Sequence, residues 1–185
     1  MEQPILIHNG VYKDHRGTFA PLPLIFDENK LPVLRKSWRQ SNVSFNNKKW
    51  TFRGMHYQDG EYAQAKLVKV INGAILDFFI DLRPDSLTFG HCKFEEVKPN
   101  YELYVPKGFA HGFITTEDNT VVQYLVDNRY FPDSEGSILW SSVPYILKTI
   151  EEYIVDFDKN KIIISDKDNV CQTLEEYLNN YGVKK

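Results

Sequence analysis

Cysteine is scarce in this chain: Cys92 and Cys171 are the only two, far apart and without a C-x-x-C pair. That excludes a disulfide framework and a structural zinc site and leaves both as packing thiols. Long apolar runs are missing as well. The run from Pro4 to Ile7 is too short for a signal sequence, and no later stretch approaches membrane-spanning length. A cytoplasmic protein without a membrane segment is therefore expected. Nor is positive charge in excess: 22 Lys and Arg stand against 25 Asp and Glu, a formal net charge of -3, with no basic stripe. A large nucleic-acid surface is thereby excluded. Low-complexity tracts, internal repeats and linkers are absent too, so residues 1–185 are expected to form a single domain.

What the chain does contain is aromatic and β-branched. There are 12 Phe, 11 Tyr and 3 Trp, and Gly and Pro cut the first 140 residues into short apolar segments. This pattern predicts an all-β core over about 14–140. Asn72-Gly73, between two apolar runs, predicts a two-residue hairpin turn. Pairing outward from Ile71 and Ala74 would put Lys66, Val68, Val70, Ile75, Asp77 and Phe79 on one face, with Lys66 diagonal to Asp77. Those two would form either an ion pair among apolar residues or a surface bridge of little consequence. Further strands are expected at 102–106, 108–115 and 120–127. In the second, Phe109, His111 and Phe113 share a face; in the third, Val122, Tyr124 and Val126 do.

The end of the chain, 141–185, reads as helical or extended. Thr173 and Glu176 form a capping box ahead of Leu174, Tyr177, Leu178 and Tyr181, spaced for a short amphipathic helix over 174–181. Over 143–157, Pro144 favours a short helix, whereas the IVDF segment also suits a strand.

The segment RGMHYQ (53–58) places His56 in a predicted strand, where a lone histidine is more often a packing residue than a catalyst. Alternation can nevertheless turn His56, Lys66, Asp77, His111 and Tyr124 toward one interior. A metal is not expected there. Metal centres in such barrels want a second histidine two positions on, and Gln58 stands in that place. Hydrolysis is not indicated either, since no G-x-S-x-G occurs. What remains is proton transfer, with histidine as base, lysine stabilising an oxyanion and tyrosine as acid. That set suits removal of a proton next to a carbonyl.

Several segments together resemble the dTDP-4-dehydrorhamnose 3,5-epimerase family. They are DHRGTFAPL (14–22), RQSNVSF (39–45), RGMHYQ, QAKLVKVINGAILDFFIDLR (64–83), YVPKGFAHGF (104–113), QYLVDNRYFPDSEGSILW (123–140) and SDKD (165–168). The resemblance implies a cupin-like jelly roll with short peripheral C-terminal helices, no metal or other cofactor, a homodimer, and epimerisation of a nucleotide-linked 4-keto-6-deoxy sugar, dTDP-linked first of all. It implies that His56 is the base, Asp168 its orienting carboxylate, Tyr124 the acid and Lys66 the group facing the C4 oxygen, with Asp77 as partner to Lys66. Arg16, Arg53, Gln40, Asn42 and His111 fall at positions that bind phosphates or sugar, and Tyr130 at one lining the nucleotide pocket. For Arg53 and His56 to serve one substrate, the strand must bulge or kink at Gly54, because regular alternation would point them apart. Two departures stand out. Pro21 replaces the glutamate that reads thymine, which leaves GDP, UDP or CDP sugars open, and a longer 141–164 stretch replaces a short tryptophan-proline segment. A single-site epimerase and a non-catalytic sugar-nucleotide-binding jelly roll are the competing expectations.

Overall fold

The computed structural model describes residues 1–8, 10–15, 17–19 and 37–181. Two five-stranded antiparallel sheets face each other. In the first, Ile5–His8 (β1), Tyr101–Val105 (β9), Lys66–Asn72 (β6), Thr120–Val126 (β11) and Gln40–Asn46 (β4) lie in the spatial order β1-β9-β6-β11-β4. The second has the order β12-β5-β10-β7-β8, built from Glu135–Ser137 (β12), Phe52–Gln58 (β5), Phe109–Thr115 (β10), Ile75–Asp81 (β7) and Cys92–Val97 (β8). Tyr12–Asp14 (β2) and Gly17–Phe19 (β3) pair separately.

Alternation decides what fills the space between the sheets. Val68, Val70, Leu103, Val105 and Val122 from the first meet Ile75, Phe79, Phe109 and Phe113 from the second in one buried cluster. The opposite side of the second sheet is apolar as well. Phe52, Met55, Leu76, Phe78, Ile80 and Ile114 pack there with Ile146 and Ile150 of the helix Pro144–Tyr153 (α1) and Tyr177 of the helix Leu174–Tyr181 (α3). That double burial leaves every residue of β7 and β10 buried, so apolar side chains predominate on both faces of these strands.

The Asn72-Gly73 hairpin does not form. β6 pairs with β9 and β11, whereas β7 pairs with β8 and β10, so the turn carries the chain from one sheet to the other. Gly73 has φ +82°, the left-handed conformation that the dipeptide predicts, and a side chain there would run into Thr120. The dipeptide thus encodes a tight reversal; burial of both runs decides that they face each other across the core. The face predicted for Val68, Val70, Ile75 and Phe79 survives, because facing sheets and a hairpin turn the same alternate residues inward.

Downstream, α3 covers 174–181 with its capping box in place. The Thr173 N–H donates to Glu176 Oε2 at 2.7 Å, and the Glu176 N–H donates to Thr173 Oγ1 at 3.1 Å. Helix α1 settles the ambiguous segment: Pro144 opens it, and Ile146, Thr149 and Ile150 are buried at helical spacing. Cys92 and Cys171 are free thiols.

Candidate active site

Strand β5 supplies the first two polar groups. His111 of β10 lies opposite His56 and Phe113 lies opposite Arg53, so two steps along β10 match three along β5. The extra residue restores parity and lets Arg53 and His56 line the same pocket. The bulge centres on Gly54, with φ +126°. A Cβ there would sit 2.5 Å from Gly112 Cα and 2.8 Å from the His111 carbonyl oxygen, so only glycine lets the strands approach this closely.

His56 Nε2 lies 2.7 Å from Asp168 Oδ1, across a sequence gap of 112 residues. The chain closes that gap by laying the 163 region along the start of β5: the Phe52 N–H donates to the Ile163 carbonyl at 2.8 Å, and the Ile163 N–H donates to that of Trp50 at 3.0 Å. The one-turn helix Asp166–Asn169 (α2) follows, with Ser165 Oγ accepting from the Asp168 N–H at 3.2 Å. The other carboxylate oxygen of Asp168 accepts from the Gly54 N–H at 3.3 Å. Burial works against charge on Asp168, but the hydrogen bond and charge of His56, with the Gly54 and Ser165 contacts, hold it below the usual carboxylate range. An ionised Asp168 accepting from Nε2–H leaves Nδ1 as the basic nitrogen of His56.

From the facing sheet come Lys66 of β6 and Tyr124 of β11. Lys66 Nζ reaches the His56 carbonyl at 3.4 Å. Burial lowers its pKa to about 8, opposed by the charges of Asp77 and Glu135. Tyr124 is pushed above its ordinary value by burial, which the charge of Arg53 counters. The cavity comprises adjoining lobes of about 200 and 330 Å³ that share Asn42, His56, Lys66 and Tyr124.

The expected Lys66–Asp77 pair is not a direct contact. Asp77 Oδ2 instead binds His111 Nε2 at 2.9 Å, both side chains being buried, and Lys66 acts on Asp77 only at longer range. The reason lies in register: Asp77 is opposite Phe113 on β10, two positions from His111 on the same face, whereas Lys66 belongs to the other sheet. Burial pushes Asp77 up and His111 down.

Gln40 and Asn42 extend into the first lobe from β4, joined by a 2.6 Å hydrogen bond. Tyr130, half exposed, stands at the rim of that lobe. Arg53 lines the other lobe and donates from Nε to Asn46 Oδ1 at 2.8 Å. Arg16 and Pro21 lie outside the described residues.

Among the pocket residues to which the sequence assigned no role are Glu135 and Gln58. Glu135 lines the first lobe and accepts at Oε2 from Tyr130 Oη at 2.8 Å and Lys167 Nζ at 2.6 Å. Gln58 donates to the carbonyls of Tyr62 and Arg129 at 2.7 and 3.1 Å and accepts from the Phe131 N–H at 2.8 Å, which fixes the segment around Tyr130. The three-residue strand β12 is too short to show the alternation that turns Glu135 inward. Among the described residues, no group of three or more His, Cys, Asp or Glu is arranged to hold a metal.

The family model for dTDP-4-dehydrorhamnose 3,5-epimerase matches residues 1–176. The dTDP-4-dehydrorhamnose 3,5-epimerase of Escherichia coli K12 is 33% identical over 187 residues, covering 96% of this chain and 93% of the relative. The crystal structure of the Bacillus anthracis dTDP-4-dehydrorhamnose 3,5-epimerase with TDP and PPi bound aligns with a TM-score of 0.76 at 34% identity, over 92% of this chain and 93% of that one. A Legionella pneumophila dTDP-6-deoxy-D-glucose-3,5-epimerase in complex with dTDP-4-keto-L-rhamnose aligns with a TM-score of 0.77 at 28% identity, over 95% and 89%.

Proposed function

The chain belongs to the dTDP-4-dehydrorhamnose 3,5-epimerase family, and from that membership we propose that it inverts both C3 and C5 of a dTDP-linked 4-keto-6-deoxyglucose. The observation that carries this reading is the convergence of the His56–Asp168 pair, Lys66 and Tyr124 on one cavity. The C4 ketone acidifies the hydrogens on both neighbouring carbons. His56 Nδ1 takes one proton, and the C–H electron pair moves into an enolate whose charge gathers on O4. Asp168 stabilises the imidazolium that forms, and the Lys66 ammonium stabilises the enolate oxygen. Tyr124 then returns a proton to the opposite face of the carbon, which inverts it; once His56 has given its proton to solvent and the Tyr124 phenolate has regained one, the cycle repeats at the second carbon. Arg53, Gln40, Asn42, His111 and Arg16 hold the diphosphate and sugar, Tyr130 lines the nucleotide side, and Asp77 orients His111.

Proton NMR of dTDP-4-keto-6-deoxyglucose incubated with the protein tests the reading. Signals of the doubly inverted 4-keto sugar are expected, and an unchanged spectrum would contradict it.

The state of Lys66 sets an expected pH dependence. With a pKa lowered to about 8, Lys66 is cationic below that pH and neutral above it. kcat/KM should therefore fall on the alkaline side of pH 8, approaching tenfold per pH unit. Lys66→Arg keeps its charge in that range and should move the limb upward whatever its residual rate. An unmoved limb would assign it to another group.

We also propose that the protein works as a homodimer. Val43 and Phe45 of β4 and Ile71 of β6, on the outer side of the first sheet, are 50%, 71% and 49% exposed, an apolar row that a second copy would cover. Light scattering on purified protein should give twice the 21.6 kDa chain mass; the mass of a single chain would exclude the dimer.

A further inference from the structure

Alternation along β4 puts Asn42, Ser44 and Asn46 on one face. The first two line the second lobe of the cavity, and Asn46, at 2% exposure, is the fully buried member of the row. An amide that deep must have both ends satisfied. Its Nδ2 donates to the carbonyl of Thr120, directly across on β11, at 3.0 Å, and lies 3.3 Å from Ser44 Oγ. A carbonyl only accepts and a guanidinium only donates, so the carboxamide has one orientation, with Oδ1 turned to Arg53 Nε at 2.8 Å.

The consequence lies in what Arg53 keeps. Among the described residues it has neither a second hydrogen bond nor an ion pair, so the Nη1–Nη2 edge is free. That edge is the two-pronged donor that matches a phosphate, and anchoring Nε sets its plane. The anchor is an amide, which leaves the positive charge whole; a carboxylate in the same place would compensate it. Arg53 is otherwise an exposed, long side chain on β5, with many rotamers to lose when a ligand arrives. Asn46 belongs to the first sheet and Arg53 to the second, so their bond also spans the two walls of the cavity. Resting on the reading above that Arg53 holds the diphosphate, we propose that Asn46 is a positioning residue. It presents the guanidinium edge of Arg53, ordered in advance and with its charge uncompensated, to the nucleoside diphosphate of the substrate.

The test is calorimetry of dTDP with the unsubstituted protein, Asn46→Ala, Arg53→Met and the double variant. Asn46→Ala should weaken dTDP about three- to tenfold, the cost of ordering one long side chain on binding. Arg53→Met should weaken it more, and adding Asn46→Ala to Arg53→Met should change nothing further, because Asn46 acts through the guanidinium alone. With dTDP-4-keto-6-deoxyglucose the Asn46→Ala factor should appear in KM, while kcat, set by His56, Lys66 and Tyr124, stays near its unsubstituted value. Losses that multiply in the double variant would overturn the inference and leave Asn46 a strut between β4 and β11. Unchanged dTDP affinity in Asn46→Ala would overturn it as well. Should Asn46→Ala fail to fold, Arg53→Lys decides the matter at an exposed position. Lysine keeps the charge but not the planar fork, so dTDP should bind clearly more weakly; unsubstituted affinity would show that orientation is immaterial. If dTDP binds with this pattern but the keto sugar is not turned over, the epimerase reading fails alone; if dTDP does not bind the unsubstituted protein, both fail.

Discussion

Replacing His56 with asparagine is expected to lower turnover by about a thousandfold or more, within the range that a positioned general base contributes. Asparagine can still donate a side-chain N–H toward Asp168, so the contact across β5 and α2 survives in part and the fold should tolerate the change. Nucleotide-sugar binding, read by calorimetry, should stay measurable because Arg53, Gln40 and Asn42 are untouched. Both deuterium exchange and epimerisation should vanish together, since every round begins with removal of a proton by this imidazole. Turnover within tenfold of the unsubstituted protein would remove His56 from the role of base.

Tyr124→Phe is expected to separate two events that His56→Asn abolishes together. The base can remove a proton, exchange it with solvent and return it to the same face without help from Tyr124. Inversion needs a donor on the other face. Net epimerisation should therefore fall by about 10²–10⁴-fold, while washout of the substrate C–H signal in deuterated water falls far less. Burial keeps the Tyr124 phenol neutral and proton-bearing at pH 7, as a donor must be. Equal losses in exchange and inversion would place Tyr124 in binding instead.

Much of this arrangement was written in local pattern, and the rest was decided by long-range packing. The capping box at Thr173 and Glu176 is satisfied by atoms three residues apart, so it was legible and α3 begins where the box predicts. The Gly54 bulge was legible for a different reason: Arg53 and His56 cannot reach one substrate from a regular strand, and glycine was the residue between them able to break the alternation. Asn72-Gly73 misled because its signal concerns backbone angles at the turn and carries no information about which strands pair beyond it. The Lys66–Asp77 pairing failed with that hairpin. The true partner of Asp77, His111, is 34 residues away, and its register across β10 is a tertiary fact.

Asp168 marks the boundary between what resemblance and pattern supplied. The SDKD motif pointed to the residue, but nothing local explained how a chain with a long 141–164 segment would return it to His56. The pairing of Ile163 with Trp50 and Phe52 accomplishes this, after α1 has covered the second sheet. Glu135 was missed because a carboxylate in a three-residue strand has no periodicity to betray its direction.

The most direct test of the proton-transfer account is proton NMR of dTDP-4-keto-6-deoxyglucose with the protein in deuterated water, following the C3 and C5 hydrogens separately. The account predicts that both signals disappear at enzyme-dependent rates and that the product carries deuterium at both carbons. Retention of either hydrogen through complete turnover would contradict the two-site mechanism, and retention of both would remove the enolate chemistry from this site.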